Sequence, residues 1–245
     1  MKTKKIALVT GAAGTMGKAV ASMFIAEDFE VVMVDVNEEA NEKAARELGG
    51  SAHPYCFDIS DPKQVSESAD HIRKEIGPVN ILVNNAGILS NNKAMTTTPE
   101  EWNRVLAVNL SGAFYLSREF LPDMRAQKWG RIINTSSYAA KSGGITAGTA
   151  YSVSKGGMIS LTFSLAAETL KDGITVNGIA PAWVKTPMVT EQLTEEQRQK
   201  VLNTIPVGRY CEPEEFAHVV RFLASEQSGF ITGEIIDLNG GIHFD

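Results

Sequence analysis

Short β-rich runs, several of them largely apolar, alternate along this chain with longer stretches whose apolar residues recur every three or four positions. The runs fall at residues 5–10, 30–35, 53–57, 81–84, 131–135, 174–179 and 234–238, and each is predicted to be a strand. The intervening stretches, at 18–27, 38–48, 62–76, 101–124, 151–170 and 213–224, have the helical period. Strand followed by helix, repeated, implies a parallel sheet whose crossovers carry helices onto both faces. Runs such as Ile6-Ala7-Leu8-Val9 and Ile81-Leu82-Val83 lack a polar side, as expected of strands covered above and below.

No linker or repeat divides the 245 residues, a length that one α/β domain can fill with a single core. One long segment, 183–209, contains no strand and is read as a cover over the substrate end. The net charge is −6 and no Lys/Arg-rich run stands out, so the cationic footprint for nucleic acid is missing. No apolar run approaches the 18 or more residues of a membrane span. The run after Lys5 is too short for the apolar core of a signal peptide, and a cytoplasmic location is expected. Two cysteines, Cys56 and Cys211, are too few for a disulfide framework and too far apart for a C-x-x-C metal or redox site. They are expected to be buried, reduced thiols, and no metal is expected.

The first strand runs into Thr10-Gly11-Ala12-Ala13-Gly14-Thr15-Met16-Gly17, and a helix follows at once. Small residues there let backbone approach a pyrophosphate, and the free N–H groups at a helix start stabilise its charge. The second strand ends in Asp35, 18 residues beyond Gly17, where an acid accepts hydrogen bonds from the adenosine ribose. A carboxylate there repels a 2′-phosphate, and no Arg or Lys lies between Asp35 and Lys43, so NAD is favoured over NADP. Asp58, after the third strand, is placed either to reach the adenine or to cap a turn. The expected architecture is a single Rossmann-type, doubly wound α/β domain of about seven parallel strands.

Further along stand Asn84-Asn85-Ala86-Gly87, Asn109, Ser136-Ser137, Tyr151-Ser152-Val153-Ser154-Lys155 and Pro181-Ala182-Trp183-Val184-Lys185-Thr186. With the T-G-x-x-x-x-x-G of Thr10–Gly17, these resemble the short-chain dehydrogenase/reductase family along essentially the whole chain. Chemistry gives a reason for the central pair. Tyr151 and Lys155 are four apart and share a helix face. A phenol of pKa about 10 is too weakly acidic to act as a base near neutrality. A neighbouring ammonium, with the positive charge of oxidised nicotinamide, favours the phenolate, and a drop of roughly 3 units needs about 4 kcal/mol.

The resemblance implies a hydride transfer between nicotinamide and a secondary alcohol/ketone pair, with Tyr151 as general acid/base and Ser137 orienting the reacting oxygen. It implies that Lys155 also holds the nicotinamide ribose and that Asn109 supports a water-borne relay to Lys155. For the cofactor it implies Gly11, Gly14, Thr15, Met16, Gly17, Asp35, Asp58, Ile59, Asn85, Gly87, Tyr151, Lys155, Val184 and Thr186. Two departures from the family's pattern stand out. Thr15 replaces a glycine, and Ala182 replaces the glycine of Pro-Gly, where a positive φ would strain an alanine.

Leu89, Tyr138, Ile145, Trp183, Met188 and Val189 are candidate walls of a partly apolar substrate pocket. A sugar, polyol, hydroxy acid or steroid-like alcohol is the first reading. The alternative is a ketoreductase of the type acting on 3-oxoacyl chains tethered to acyl carrier protein. Such enzymes generally prefer NADPH and dock the acidic carrier on basic residues. Here Asp35 and the acid in Lys171-Asp172-Gly173 count against it, while Lys128 and Arg131 remain as candidate docking cations. A non-catalytic NAD-binding sensor is the third reading; retention of all four catalytic side chains opposes it. Apolar residues on several faces of the helices around 101–124 and 151–170, among them Phe114, Leu116, Phe120, Met158, Leu161, Phe163 and Leu165, lead to the expectation of a homotetramer.

Overall fold

Seven parallel strands form one sheet in the order β3-β2-β1-β4-β5-β6-β7. They are β1 (Ile6–Thr10), β2 (Glu30–Asp35), β3 (Ala52–Cys56), β4 (Ile81–Asn84), β5 (Gly130–Thr135), β6 (Ile174–Pro181) and β7 (Ile235–Leu238). A computed structural model describes residues 4–145, 147–187 and 194–244. All seven expected strands are present, β2 and β4 with unchanged bounds, and β6 runs two residues further to Pro181. The fold is the Rossmann-type doubly wound sheet that the alternation implied.

Alternate residues of each strand feed opposite cores, because side chains in a strand point to opposite faces. Leu8, Val32, Leu82 and Ile132 pack on one face with Leu116, Phe120 and Met124. Val9, Val31, Met33 and Val83 pack on the other with Phe24, Phe216 and Val220. Phe24, Phe120 and Phe216 are fully buried, and truncating any one of them to alanine is expected to cost about 3–5 kcal/mol.

The helices are α1 (Thr15–Ala26), α2 (Glu38–Leu48), α3 (Pro62–Glu75), α4 (Pro99–Leu106), α5 (Gly112–Gln127), α6 (Tyr138–Lys141), α7 (Thr149–Thr169), α8 (Glu195–Leu202) and α9 (Pro213–Ala224). Local chemistry sets several starts. Asn37 accepts from Ala40 N before α2, Asp61 from Lys63 N and Gln64 N before α3, and Thr98 from Glu101 N before α4. A proline opens α3, α4 and α9, where its missing N–H costs nothing. The helix expected over 101–124 is interrupted. Between α4 and α5 the chain makes a π-helical turn, Ala107–Ser111, and Asn109 sits within it.

Two expectations about the surface fail. Cys56 is exposed at the end of β3 and Cys211 is only half-buried, so neither thiol is a core residue. Of the apolar residues read as surplus on two helices, Leu116, Phe120, Met158 and Leu165 belong to the monomer's own core. Phe114 and Phe163 do face outward. Among the described residues no helix is long and apolar enough to cross a membrane.

Candidate active site

β1 and β4 are neighbours whose following connections depart in opposite directions, and ligands of open α/β sheets bind in the crevice beyond such a switch point. Thr10 and Asn85 lock the two strand ends together. Asn85 N and Ala86 N each donate to Thr10 Oγ1 at 2.9 Å, and Asn85 Nδ2 donates to Thr10 O at 2.9 Å. Gly11 follows in the left-handed region, φ +64°, its backbone tight against Ala86. A Cβ on Gly17 would stand 2.2 Å from Gly11 O, so backbone meets backbone where the loop enters α1. Thr15 is the first residue of α1, and no side chain caps its N-terminus. Those N–H groups border a cleft of about 580 Å³.

That cleft is lined by Gly11, Gly14, Thr15, Met16, Gly17, Asp35, Asp58, Ile59, Asn85, Gly87 and Thr186, eleven of the expected cofactor residues. Asp35 Oδ2 accepts from Ala13 N at 3.1 Å and Oδ1 from Asn37 N at 3.0 Å, so this carboxylate also braces the glycine-rich loop. Val36, beside it, is exposed and apolar. The uncapped backbone, the glycine cradle and the acid at the end of β2 fit a dinucleotide.

Arg104 also lines this cleft, which no motif announces. α4 brings it to Asp58: Nη1 donates to Asp58 Oδ2 at 3.1 Å and to Ser60 Oγ at 3.0 Å. Asp58 Oδ1 accepts from Ser60 N and Ser60 Oγ. Partial burial raises the Asp58 pKa, but the Ser60 and Arg104 hydrogen bonds outweigh it and hold the carboxyl below its ordinary range. Asp58 therefore closes a turn at the edge of the cleft.

A second cavity of about 290 Å³ adjoins the first, sharing Met16, Asn85, Gly87 and Thr186. Ser137, Tyr151, Lys155 and Val184 line it, with Leu89, Tyr138 and Trp183 from the expected walls. Ile145 does not: it is 76% exposed at a loop tip. Met188 and Val189 lie outside the described residues. Ser136 is buried and donates from Oγ to Lys155 O at 2.8 Å, which leaves Ser137 as the serine beside Tyr151. The Ser137 and Tyr151 side chains share a hydrogen bond.

Burial dominates the electrostatics here. It raises the pKa of Tyr151 above its ordinary value, with the Ser137 hydrogen bond acting the other way. Lys155 is 3% exposed, and burial lowers its pKa to about 8. Its Nζ donates to Thr135 O at 2.8 Å and lies 5.9 Å from the centre of the Tyr151 ring. At Tyr151 burial outweighs the Ser137 hydrogen bond, while the Lys155 ammonium is turned toward the Thr135 carbonyl.

Asn109 is 1% exposed. Its amide donates to Ile88 O at 3.0 Å and Ser154 Oγ at 3.1 Å, and accepts from Ile88 N at 2.8 Å. No direct bond joins it to Lys155. The two converge on Gly87, where a Cβ would stand 3.3 Å from both Asn109 Oδ1 and Lys155 Nζ. Ala182 escapes the strain that a positive φ would impose. Among the described residues only Asp28 and Lys128 combine a positive φ with a side chain. Ala182 N donates to Leu238 O at 3.0 Å, extending β6 beside β7.

Arg131 is not a docking cation. It is 3% exposed, donates to the carbonyls of Gly130 and Ser225, and lies 4.5 Å over the Trp129 ring. Nearby, Arg125 is paired with Asp172 at 2.8 Å.

A dinucleotide cleft that opens into a cavity with a Ser–Tyr pair above a buried lysine defines a nicotinamide-dependent oxidoreductase. The family model described as enoyl-(acyl carrier protein) reductase matches residues 11–243. The chain is 37% identical over 241 residues to the 3-oxoacyl-acyl-carrier-protein reductase FabG of Thermotoga maritima, covering 97% of each chain. It is 38% identical over 240 residues to the enzymes of that name from Escherichia coli and Vibrio cholerae, covering 98% of this chain and 97% of each relative. The chain belongs to the short-chain dehydrogenase/reductase family.

Proposed function

We propose that this chain is a ketoreductase that reduces the 3-keto group of an acyl thioester to a hydroxyl, with NADH as the hydride donor. This reverses the order of substrate classes read from the residues, because the full-length relatives bear the name 3-oxoacyl-acyl-carrier-protein reductase. The names of the full-length relatives carry the direction, and the site suits it: the Tyr151 phenol is withdrawn from water and hydrogen-bonded to Ser137 in one cavity. A protonated phenol is the group a carbonyl oxygen needs as it gains negative charge.

Bound NADH supplies the hydride to the keto carbon. Ser137 and Tyr151 hold the keto oxygen, and Tyr151 gives it a proton. The Lys155 ammonium, present below its pKa of about 8, stabilises the tyrosinate left behind and binds the nicotinamide ribose. Asn109 fixes the backbone of Ile88 and orders the water path that returns a proton by way of Lys155. Val184 and Thr186 hold the carboxamide end. The segment 183–209 covers the substrate; its described part presents Trp183 and Val184 to the cavity. The outward Phe114 and Phe163 support a homotetramer, which sizing would test, and the working location is the cytoplasm.

Asp35 supports NADH over NADPH. Titrating the protein with each is expected to give NADH at least about tenfold tighter, a difference of about 1.4 kcal/mol. Oxidation of NADH by acetoacetyl-CoA and by a 3-oxoacyl chain on acyl carrier protein tests the substrate. Inertness toward both, with oxidation of a polyol or steroid alcohol, would overturn the reading.

A carrier-free substrate is the second reading. Burial of Arg131 and pairing of Arg125 with Asp172 take two cations from the surface an acidic carrier would meet. Equal efficiency with the coenzyme A and carrier thioesters would favour it.

A further inference from the structure

Two segments wall the substrate end of the catalytic cavity, one carrying Leu89 and the other Ala147. The second should be the looser. Gly143 and Gly144 adopt φ +68° and +74°, and Ile145 at the tip packs on little. It is nevertheless stapled to the first. Gly148 N donates to Ser90 O at 2.7 Å and Thr149 N to Asn92 O at 3.0 Å. A Cβ on Gly148 would stand 2.6 Å from both Ser90 O and Asn92 O, so only glycine permits this approach.

Lys93 completes the staple. Its Nζ donates to Gly144 O and to Ala147 O, each at 2.6 Å, and it pairs with no carboxylate among the described residues. The segment it extends from is anchored to α4: Ser90 Oγ donates to Glu101 Oε1 at 2.6 Å and Asn92 Nδ2 to Glu101 Oε2 at 2.7 Å. The other end of the stapled loop is Thr149, where α7 begins, two residues before Tyr151.

We propose that Lys93 is a specificity-determining positioning residue: its ammonium ties the glycine-rich loop to the segment bearing Leu89 and so fixes the width of the substrate cavity. Hydrogen bonds from a charged donor to two carbonyls are the stronger kind, and they hold a wall that its own sequence leaves slack. Lys93 reaches neither the reacting oxygen nor the dinucleotide cleft, so it acts on how substrate fits and not on the chemical step. That KM effect rests on the reading of this cavity as the thioester site; the staple itself does not.

The test compares Lys93→Met, which keeps length and loses the donors, with Lys93→Arg, which keeps them. Hydrogen exchange at the Gly148 and Thr149 amides is expected to be at least tenfold faster in the Met variant and near wild type in the Arg variant. For acetoacetyl-CoA, KM is expected to rise about tenfold in the Met variant with kcat within about twofold, and Arg is expected to restore it. NADH affinity, read by fluorescence, should be unchanged in both. Unchanged exchange in Lys93→Met overturns the proposal, and so does faster exchange that leaves KM for every accepted substrate unaltered. A wild type inert to acetoacetyl-CoA, with fast exchange in the Met variant, overturns the thioester reading and upholds the staple.

Discussion

At the β1–β3 end of the crevice, Gly11, Gly17 and the uncapped start of α1 present backbone to the ligand. At the β4–β6 end, Ser137, Tyr151 and Lys155 present side chains, with the buried Asn109 packed behind them. The two ends are therefore vulnerable to opposite changes. In the first, function depends on atoms that are missing, and an added methyl does the damage. In the second, it depends on a few polar atoms kept out of water, and loss of one oxygen or nitrogen does the damage while the fold survives.

Tyr151→Phe should expose this contrast most strongly. Turnover is expected to fall at least about 100-fold, as for loss of a general acid, while NADH binding and Tm stay near wild type. Steady-state kinetics beside a fluorescence titration will read both, and unchanged turnover would remove Tyr151 from the proton step. Gly17→Ala is the counterpart at the other end. The new Cβ meets Gly11 O at 2.2 Å, backbone against backbone, so the loop must shift. NADH affinity is expected to fall by roughly 30-fold (about 2 kcal/mol), and overpacking of about 1–3 kcal/mol should lower Tm by several degrees. Wild-type affinity and Tm would show that this close approach does not matter.

Asp35→Asn removes charge from the acid at the end of β2 and keeps an oxygen for Ala13 N or Asn37 N. The preference for NADH over NADPH is expected to shrink about tenfold with stability nearly unchanged. An unaltered ratio would locate selectivity elsewhere, with Arg104 the first place to look. The mildest effect needs no mutation. Burial has lowered the Lys155 pKa from 10.5 to about 8, so the ammonium is present below that pH and lost above it. The rate of ketone reduction should be level near pH 6–7, fall to half near pH 8 and continue down with the slope of one proton. The same lowered pKa means that the unfolded chain holds this proton more tightly, so between pH 8 and 10.5 this group favours folding more as pH rises. A pH–rate profile that is level to pH 9 would show that the charge on Lys155 is not needed.

The strands were legible in the sequence because a sheet covered on both faces writes itself as unbroken apolar runs, as in β1, β2 and β4. The site was legible where chemistry fixes spacing within one element, as with Tyr151 and Lys155 on α7. What stayed hidden depends on distances between elements. No spacing announces that Arg104 on α4 will meet Asp58 after β3, or that Lys93 will reach the Gly144 carbonyl. Arg131 looked available for the ordinary reason that arginines face water, and only the fold places it over Trp129 beneath the end of α9. Tyr151 shows the same limit in energy. Its helix neighbour could be counted, but its withdrawal from water could not.

The π-helical turn at Ala107–Ser111 gives the α4–α5 rod a weakness of its own kind. An α-helix advances about 100° per residue, so one extra residue sets the two halves out of phase by roughly that angle. The turn itself aims Asn109 at Ile88 and Ser154, and α5 beyond it delivers Leu116, Phe120 and Met124 to the core. Both faces are correct only while the count between them is kept. Removing a single residue there would mend the helix into one regular rod and, by doing so, turn either the asparagine or the phenylalanine away from its partners. The segment behaves as a reading frame: point changes alter one contact, whereas a change in length mistranslates everything on one side of it.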